Sequence, residues 1–179
     1  MEQKSMNQII LVDEKDNQIG VEEKLKAHLE GKIHRAFSVF VFNSKGELML
    51  QKRAQTKYHS GGLWSNTCCS HPRPDKDITE EAKTRLKEEM GIDCELKEAF
   101  STSYNVKVDS QTGKLMEHEF DHIFIGLSDD SPELNPEEAE DWKWINPNEL
   151  KKDIEENPEK YTPWFKLILE RTLQESKNL

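Results

Sequence analysis

The chain has 179 residues, enough for one domain with a core that needs no cross-links. Apolar and charged residues each make up 34%, and the formal charge of −10 argues against nucleic acid or an anionic membrane surface as a partner. No apolar run is long enough to span a bilayer and "MEQKSMNQIILVDEKD" has no signal-peptide core, so a single cytoplasmic domain over 1–179 is expected.

In chain order, "QIILVD" (8–13) reads as a strand that turns at "EKDNQIG". "HRAFSVFVFN" (34–43) and "ELMLQKR" (47–53) form a hairpin around "NSKG". "LWSNTCC" (63–69) is a further strand, ended by Pro72. Residues 77–92 place Ile78, Ala82, Leu86 and Met90 on one stripe and stop at Gly91, which predicts an amphipathic helix. Strands near 95–107 and 115–127 follow, separated by the turn "DSQTGK", then a short strand over 141–145. Helices over 147–156 and 162–176 finish the chain, the second opening on an N-cap and N1 pair, Thr162–Pro163. Strand runs interleaved with a few helices predict an α/β class, a mixed sheet between helices.

The stretch "NTCCSHP" (66–72) admits three chemistries: a disulfide, half of a metal site, or a nucleophile beside its base. Adjacent cysteines bridge only with strained geometry, and three cysteines in a reducing compartment do not make a framework, so the disulfide is the weakest. In an extended chain Cys69 and His71 share a face while Cys68 points the other way, toward a core. The same parity in "MEHEFDHIF" sets Glu117, Glu119 and Asp121 on one face, His118 and His122 on the other. Carboxylates at i and i+2 repel unless a cation or proton lies between them; a solvated strand face is the bland alternative. His28, His34 and His71 supply three imidazoles to join the two glutamates, a donor set suited to zinc or another divalent transition metal. His59 and His122 read as ordinary surface or core histidines. On the helix over 77–92, Glu81, Arg85, Glu88 and Glu89 share a face, most simply a solvated one with i,i+4 ion pairs.

The strings "WSNTCCSHP", "MEHEF" and "YTPW", with a helix ending "EEMGI", resemble the type I isopentenyl-diphosphate isomerases, from about Ile9 to Arg171. The resemblance implies a Nudix-like fold and the interconversion of isopentenyl and dimethylallyl diphosphate by protonation and deprotonation of the alkene. It implies Cys69 and Glu119 as the acid/base pair, with Tyr104 beside the glutamate and Trp164 facing the carbocation. His28, His34, His71, Glu117 and Glu119 would hold one divalent ion, Zn²⁺ or Mn²⁺. Glu89 would hold Mg²⁺ bridged to the diphosphate, whose oxygens would meet Lys24, Arg53, Lys57 and Arg85. The partner implied is this small diphosphate; a monomer and a dimer both remain open. Two departures stand out. The His28–His34 interval is one residue shorter than in bacterial members, which implies a rearranged link. The Nudix box carries Thr84–Arg85 and Lys76 where a hydrolase would want Arg-Glu and a glutamate. A nucleotide pyrophosphohydrolase is disfavoured on that ground, because it needs a metal-activated water. A non-catalytic metal or redox module would leave Tyr104, Trp164 and the basic cluster without a purpose.

Overall fold

The computed structural model describes residues 7–110 and 113–178; the first six residues, the centre of the "DSQTGK" turn and the last residue lie outside the described residues. Nine strands form one curled, mixed sheet: β1 Gln8–Val12, β2 Gln18–Glu23, β3 His34–Phe42, β4 Leu48–Arg53, β5 Trp64–Ser65, β6 Cys68–Ser70, β7 Leu96–Ser110, β8 Gly113–Leu127 and β9 Ala139–Ile145. Among the described residues four α-helices flank it: α1 Lys24–Glu30, α2 Ile78–Met90, α3 Pro147–Glu156 and α4 Pro163–Glu175.

β3 is the spine. Every residue of it except Arg35 is buried, because it is covered on both faces. Its alternation sorts the interior into two cores: Phe40 and Phe42 pack with Trp164, Phe165 and Leu169 of α4. Phe37, Val39 and Val41 pack with Ala82, Leu86 and Met90 of α2. β3 runs parallel to β8 over nine pairs from His34–Glu119 to Phe42–Leu127, and β8 runs antiparallel to β7. β3 meets β4 only at Phe42–Leu48. The strands diverge from that point, and residues 64–70 fill the gap.

That filling differs from the expected continuous strand over 63–69. β5 pairs with β4 and β6 pairs with β3, so the chain changes partner at Asn66–Thr67. Side chains take over the ladder there: Thr67 Oγ1 donates to the Met49 carbonyl at 2.7 Å and accepts from the Val41 N–H at 2.9 Å. Asn66 Nδ2 donates to the Cys68 carbonyl at 2.7 Å.

β2 and α1 are absent from the sequence reading. β2 is an edge strand with no buried face, so it carries no alternating apolar signal. α1 buries only Ala27 and His28 and leaves Leu25 and Leu29 outside, so its two leucines point away from the core. Glu23 caps its first turn through bonds from Leu25 N and Lys26 N, and Gly31 ends it at φ 64°. α2 begins and ends as expected, capped by Asp77 and stopped by Gly91 at φ 66°, where a Cβ would press on the Glu133 backbone. Thr162 occupies the N-cap of α4, yet its hydroxyl makes no cap bond; it meets Ser65 Oγ at 2.9 Å instead. No helix among the described residues is long and apolar enough to cross a membrane.

Candidate active site

The parity of β8 holds: Glu117, Glu119 and Asp121 are all buried, so the solvated-face alternative fails. Register brings the partners. His34 on β3 lies beside Glu119, and Tyr104 on β7 lies opposite Glu119. α1 presents His28 from its last turn, and His71 follows β6 directly. One ligand atom from each of His28, His34, His71, Glu117 and Glu119 falls within 4.8 Å of all the others. The chain turns between His28 and His34 at the Gly31 stop of α1, and their ring centroids are 4.6 Å apart.

The tautomers are dictated by the second nitrogen. His28 Nδ1 meets the Lys24 carbonyl at 2.6 Å and His34 Nδ1 meets the Lys32 carbonyl at 2.8 Å. A carbonyl only accepts, so each Nδ1 carries hydrogen and each Nε2 is the ring atom turned toward the cluster. Both Nε2 atoms are buried with no hydrogen-bond partner. Burial, then Lys24 and His34, hold the His71 imidazolium well below its ordinary range, which keeps the ring neutral. Orphaned imidazole nitrogens facing two buried carboxylates are a donor set that fits a divalent transition ion.

Around the carboxylates the environment is graded. For Glu117 burial acts to raise the pKa, but the neighbouring imidazoles of His28 and His59 outweigh it and hold the carboxyl well below its usual range. Burial and the Glu117 charge raise Glu119. The Tyr104 hydroxyl donates to Glu119 Oε2, and burial first, then Asp121 and Glu119, keep that phenol protonated.

Cys68 and Cys69 separate as parity requires. Cys68 belongs to the α2-side core, while Cys69 is half-buried and lines a cavity of about 140 Å³. Burial pushes the Cys69 thiol up to about 12, so it carries its proton at neutral pH. The cavity walls also include Glu117, Glu119, Trp164 and the four expected cations, Lys24, Arg53, Lys57 and Arg85. Arg53 stacks its guanidinium 5.3 Å from the Trp164 ring, and Lys24 Nζ lies 5.4 Å from the Tyr58 ring. Lys57 pairs with Glu138, while Arg85 reaches Glu138 at 2.9 Å, Glu88 at 2.7 Å and Glu89 at 2.7 Å. Arg53 Nε and Arg85 Nε are buried donors without partners.

The solvated-face reading of α2 needs correction. Glu81 and Glu89 are only 5% and 4% exposed. Arg73 holds Glu81 at 2.7 Å, and Glu89 accepts from Gln51 Nε2 at 3.0 Å as well as from Arg85. His59 also needs correction. It is buried, lines the cavity and meets Glu117 at 2.8 Å, whereas His122 stays outside the site, between Asp16 and Glu98. Glu138 is a further site residue that sequence reasoning did not single out, whereas Asp121, which parity sets on the face of Glu117 and Glu119, accepts from Ser38 Oγ at 2.8 Å. Glu138 lies in the acidic run "NPEEAED", where spacing does not distinguish one carboxylate from its neighbours.

A profile of the NUDIX domain matches residues 32–165. The chain is 55% identical over 167 residues to isopentenyl-diphosphate Delta-isomerase 2 of Aromatoleum aromaticum, covering 93% of this chain and 87% of that one. This chain belongs to the isopentenyl-diphosphate Delta-isomerase family. The isopentenyl-diphosphate Delta-isomerase of Serratia proteamaculans is 48% identical over 161 residues, 90% of this chain and 88% of that protein. Membership agrees with the fold. A MutT protein from Methanosarcina mazei superposes with TM-score 0.65 at 21% identity, over 83% of this chain and 99% of that one. A Deinococcus radiodurans protein reaches 0.69 at 19%, over 84% and 90%. The strings that carry the resemblance fall on β5, β6, β8 and the entry to α4, and the last three bring Cys69, Glu117, Glu119 and Trp164 to the cavity wall.

Proposed function

We propose that this chain interconverts isopentenyl diphosphate and dimethylallyl diphosphate by moving protons, with Cys69 and Glu119 as the acid/base pair. The observation that carries the reading is the meeting in one cavity of a protonated thiol, a buried carboxylate and an indole wall, beside a group of cations.

The chemistry demands such a place. Protonating the terminal alkene carbon forms a new C–H bond and leaves a tertiary carbocation; losing a proton from C2 re-forms the double bond one position along. Water would trap the cation, so the site must exclude solvent and offer no nucleophile. Trp164, only 4% exposed, presents an aromatic face suited to positive charge. A cation–π contact of about 2 kcal/mol corresponds to roughly thirtyfold in rate, so the larger share falls to the placed acid and base. In one direction the Cys69 thiol gives up its proton, and in the other the thiolate takes it back. Glu119 acts on the opposite face of the substrate, and Tyr104 fixes its carboxyl by donating to Oε2.

His28, His34, His71, Glu117 and Glu119 would hold a zinc or manganese ion, and Glu89 would hold Mg²⁺ against the diphosphate. Such ions would screen the clustered carboxylates and neutralise the diphosphate charge. Glu89 fits that part as a single buried carboxylate at the cavity wall, since Mg²⁺ takes most of its remaining ligands from phosphate and water. Lys24, Arg53, Lys57 and Arg85 would grip the diphosphate oxygens. The unpartnered Nε–H groups of Arg53 and Arg85 support an anionic ligand there. Incubating the protein with isopentenyl diphosphate and Mg²⁺ tests the reading: dimethylallyl diphosphate is expected, and release of inorganic phosphate or pyrophosphate without it would contradict the proposal.

A further inference from the structure

His59 stands between the cluster of imidazoles and carboxylates and the aromatic wall, and the family's motifs give it no part. It sits in the loop after β4, in "KYHSGG", where no periodicity marks it. Its ring is fixed from several sides. Nε2 lies 2.8 Å from Glu117 Oε1, and Nδ1 lies 3.2 Å from Ser60 Oγ. A carboxylate accepts, so Nε2 carries the hydrogen and Nδ1 can take one from the Ser60 hydroxyl. The ring stands nearly perpendicular to Trp164, with centroids 5.7 Å apart, and to Tyr58 at 4.4 Å. Its backbone is held too, since Arg53 Nη2 donates to the His59 carbonyl at 3.2 Å.

We propose that His59 is a positioning residue that fixes the Glu117 carboxylate with its Nε2–H while the edge of the same ring sets the tilt of the Trp164 indole. Glu117 Oε2 faces His28 Nε2 at 3.3 Å, so the hydrogen bond from His59 to the other oxygen leaves Oε2 aimed into the cluster. Outer donors of this kind orient ligating carboxylates, and losing one typically weakens metal binding 10–100-fold. Removing the ring would also open space beside Trp164. One side chain would thus couple two parts of the site that belong to different strands and helices. The inference rests on the reading of Glu117 as a metal ligand and of Trp164 as the face toward the carbocation.

The test compares the wild type with His59→Ala and His59→Gln, using Mn²⁺ as the probe on metal-stripped protein and isopentenyl diphosphate as substrate. Thermal unfolding of the stripped proteins establishes that each variant folds. His59→Ala is expected to bind Mn²⁺ roughly 10–100-fold more weakly. At saturating Mn²⁺ its kcat should fall while KM stays within about twofold of the wild type, because Ala keeps the backbone carbonyl to which Arg53 donates. His59→Gln, whose amide can still donate to Glu117, should recover most of the Mn²⁺ affinity but not the full kcat, since it lacks the ring beside Trp164. Unchanged Mn²⁺ affinity in His59→Ala would overturn the proposal, as would a rise in KM with kcat preserved. So would a His59→Gln protein that binds Mn²⁺ no better than His59→Ala. A wild-type protein that neither binds Mn²⁺ nor isomerises the substrate would instead remove the reading beneath it.

Discussion

The two adjacent cysteines show how much a single residue's orientation decides. Cys68 is sealed among Val39, Met49 and Leu86, while Cys69, one residue on, opens into the cavity. Cys68→Ala is expected to stay active and to cost about 1 kcal/mol in stability, the price of one small buried group. Cys69→Ala should lose activity by at least the 10²–10⁴-fold typical of one general acid or base. Steady-state assays with chemical denaturation read both effects, and equal activity losses would contradict the parity argument. His71→Ala makes a separate test of the cluster. Protein purified without added metal should lose most of its bound divalent ion on that change, measured by elemental analysis, and full occupancy would refute the proposed ligand set.

At the level of elements, the site depends on a few junctions. The loop before β9 supplies Glu138, which ties Lys57 after β4 to Arg85 on α2. Burial acts to raise the Glu138 pKa, but Lys57 and Arg85 outweigh it and hold the carboxyl at about 2, against an ordinary 4.5. A depressed carboxyl stabilises the fold above its unfolded pKa and stops doing so as pH falls through the folded one. The contribution of Glu138 is therefore complete above about pH 4.5 and fades toward pH 2, with a ceiling of about 3 kcal/mol. Glu138→Gln should unfold at lower urea concentration than wild type at pH 6, and the gap should narrow by pH 3; a gap that widened on acidification would reverse the assigned sign. The stop of α2 offers a second check. Gly91→Ala should destabilise by at least about 1 kcal/mol, because φ is positive and a Cβ would stand 2.8 Å from the Glu133 side chain and 3.0 Å from its backbone.

For the whole molecule, strongly patterned segments were legible in the sequence and exposed or irregular ones were not. β3, β4, α2 and α4 declare themselves because each buries a continuous run or stripe. β2 and α1 bury almost nothing and so leave no pattern, although α1 carries His28. The same division runs through the site. Glu117, Glu119 and Cys69 stand in extended chain, where period two assigns a face, whereas His59 and Glu138 lie in loops, where spacing assigns none. Pairing also escapes local pattern: nothing in the sequence of 63–70 foretells a strand that changes partner at Asn66–Thr67.

In the proposed reaction the double bond moves by protonation and deprotonation across the face between Cys69 and Glu119. Running the reaction in deuterated water tests it most directly, with mass spectrometry or NMR following both diphosphate isomers. The wild type should place solvent deuterium on carbon in product and, over many turnovers, in recovered substrate, while Cys69→Ala and Glu119→Gln should abolish isomerisation. Rapid conversion by the wild type with no deuterium on carbon would mean an internal hydrogen shift, and the roles given to Cys69 and Glu119 would fail together.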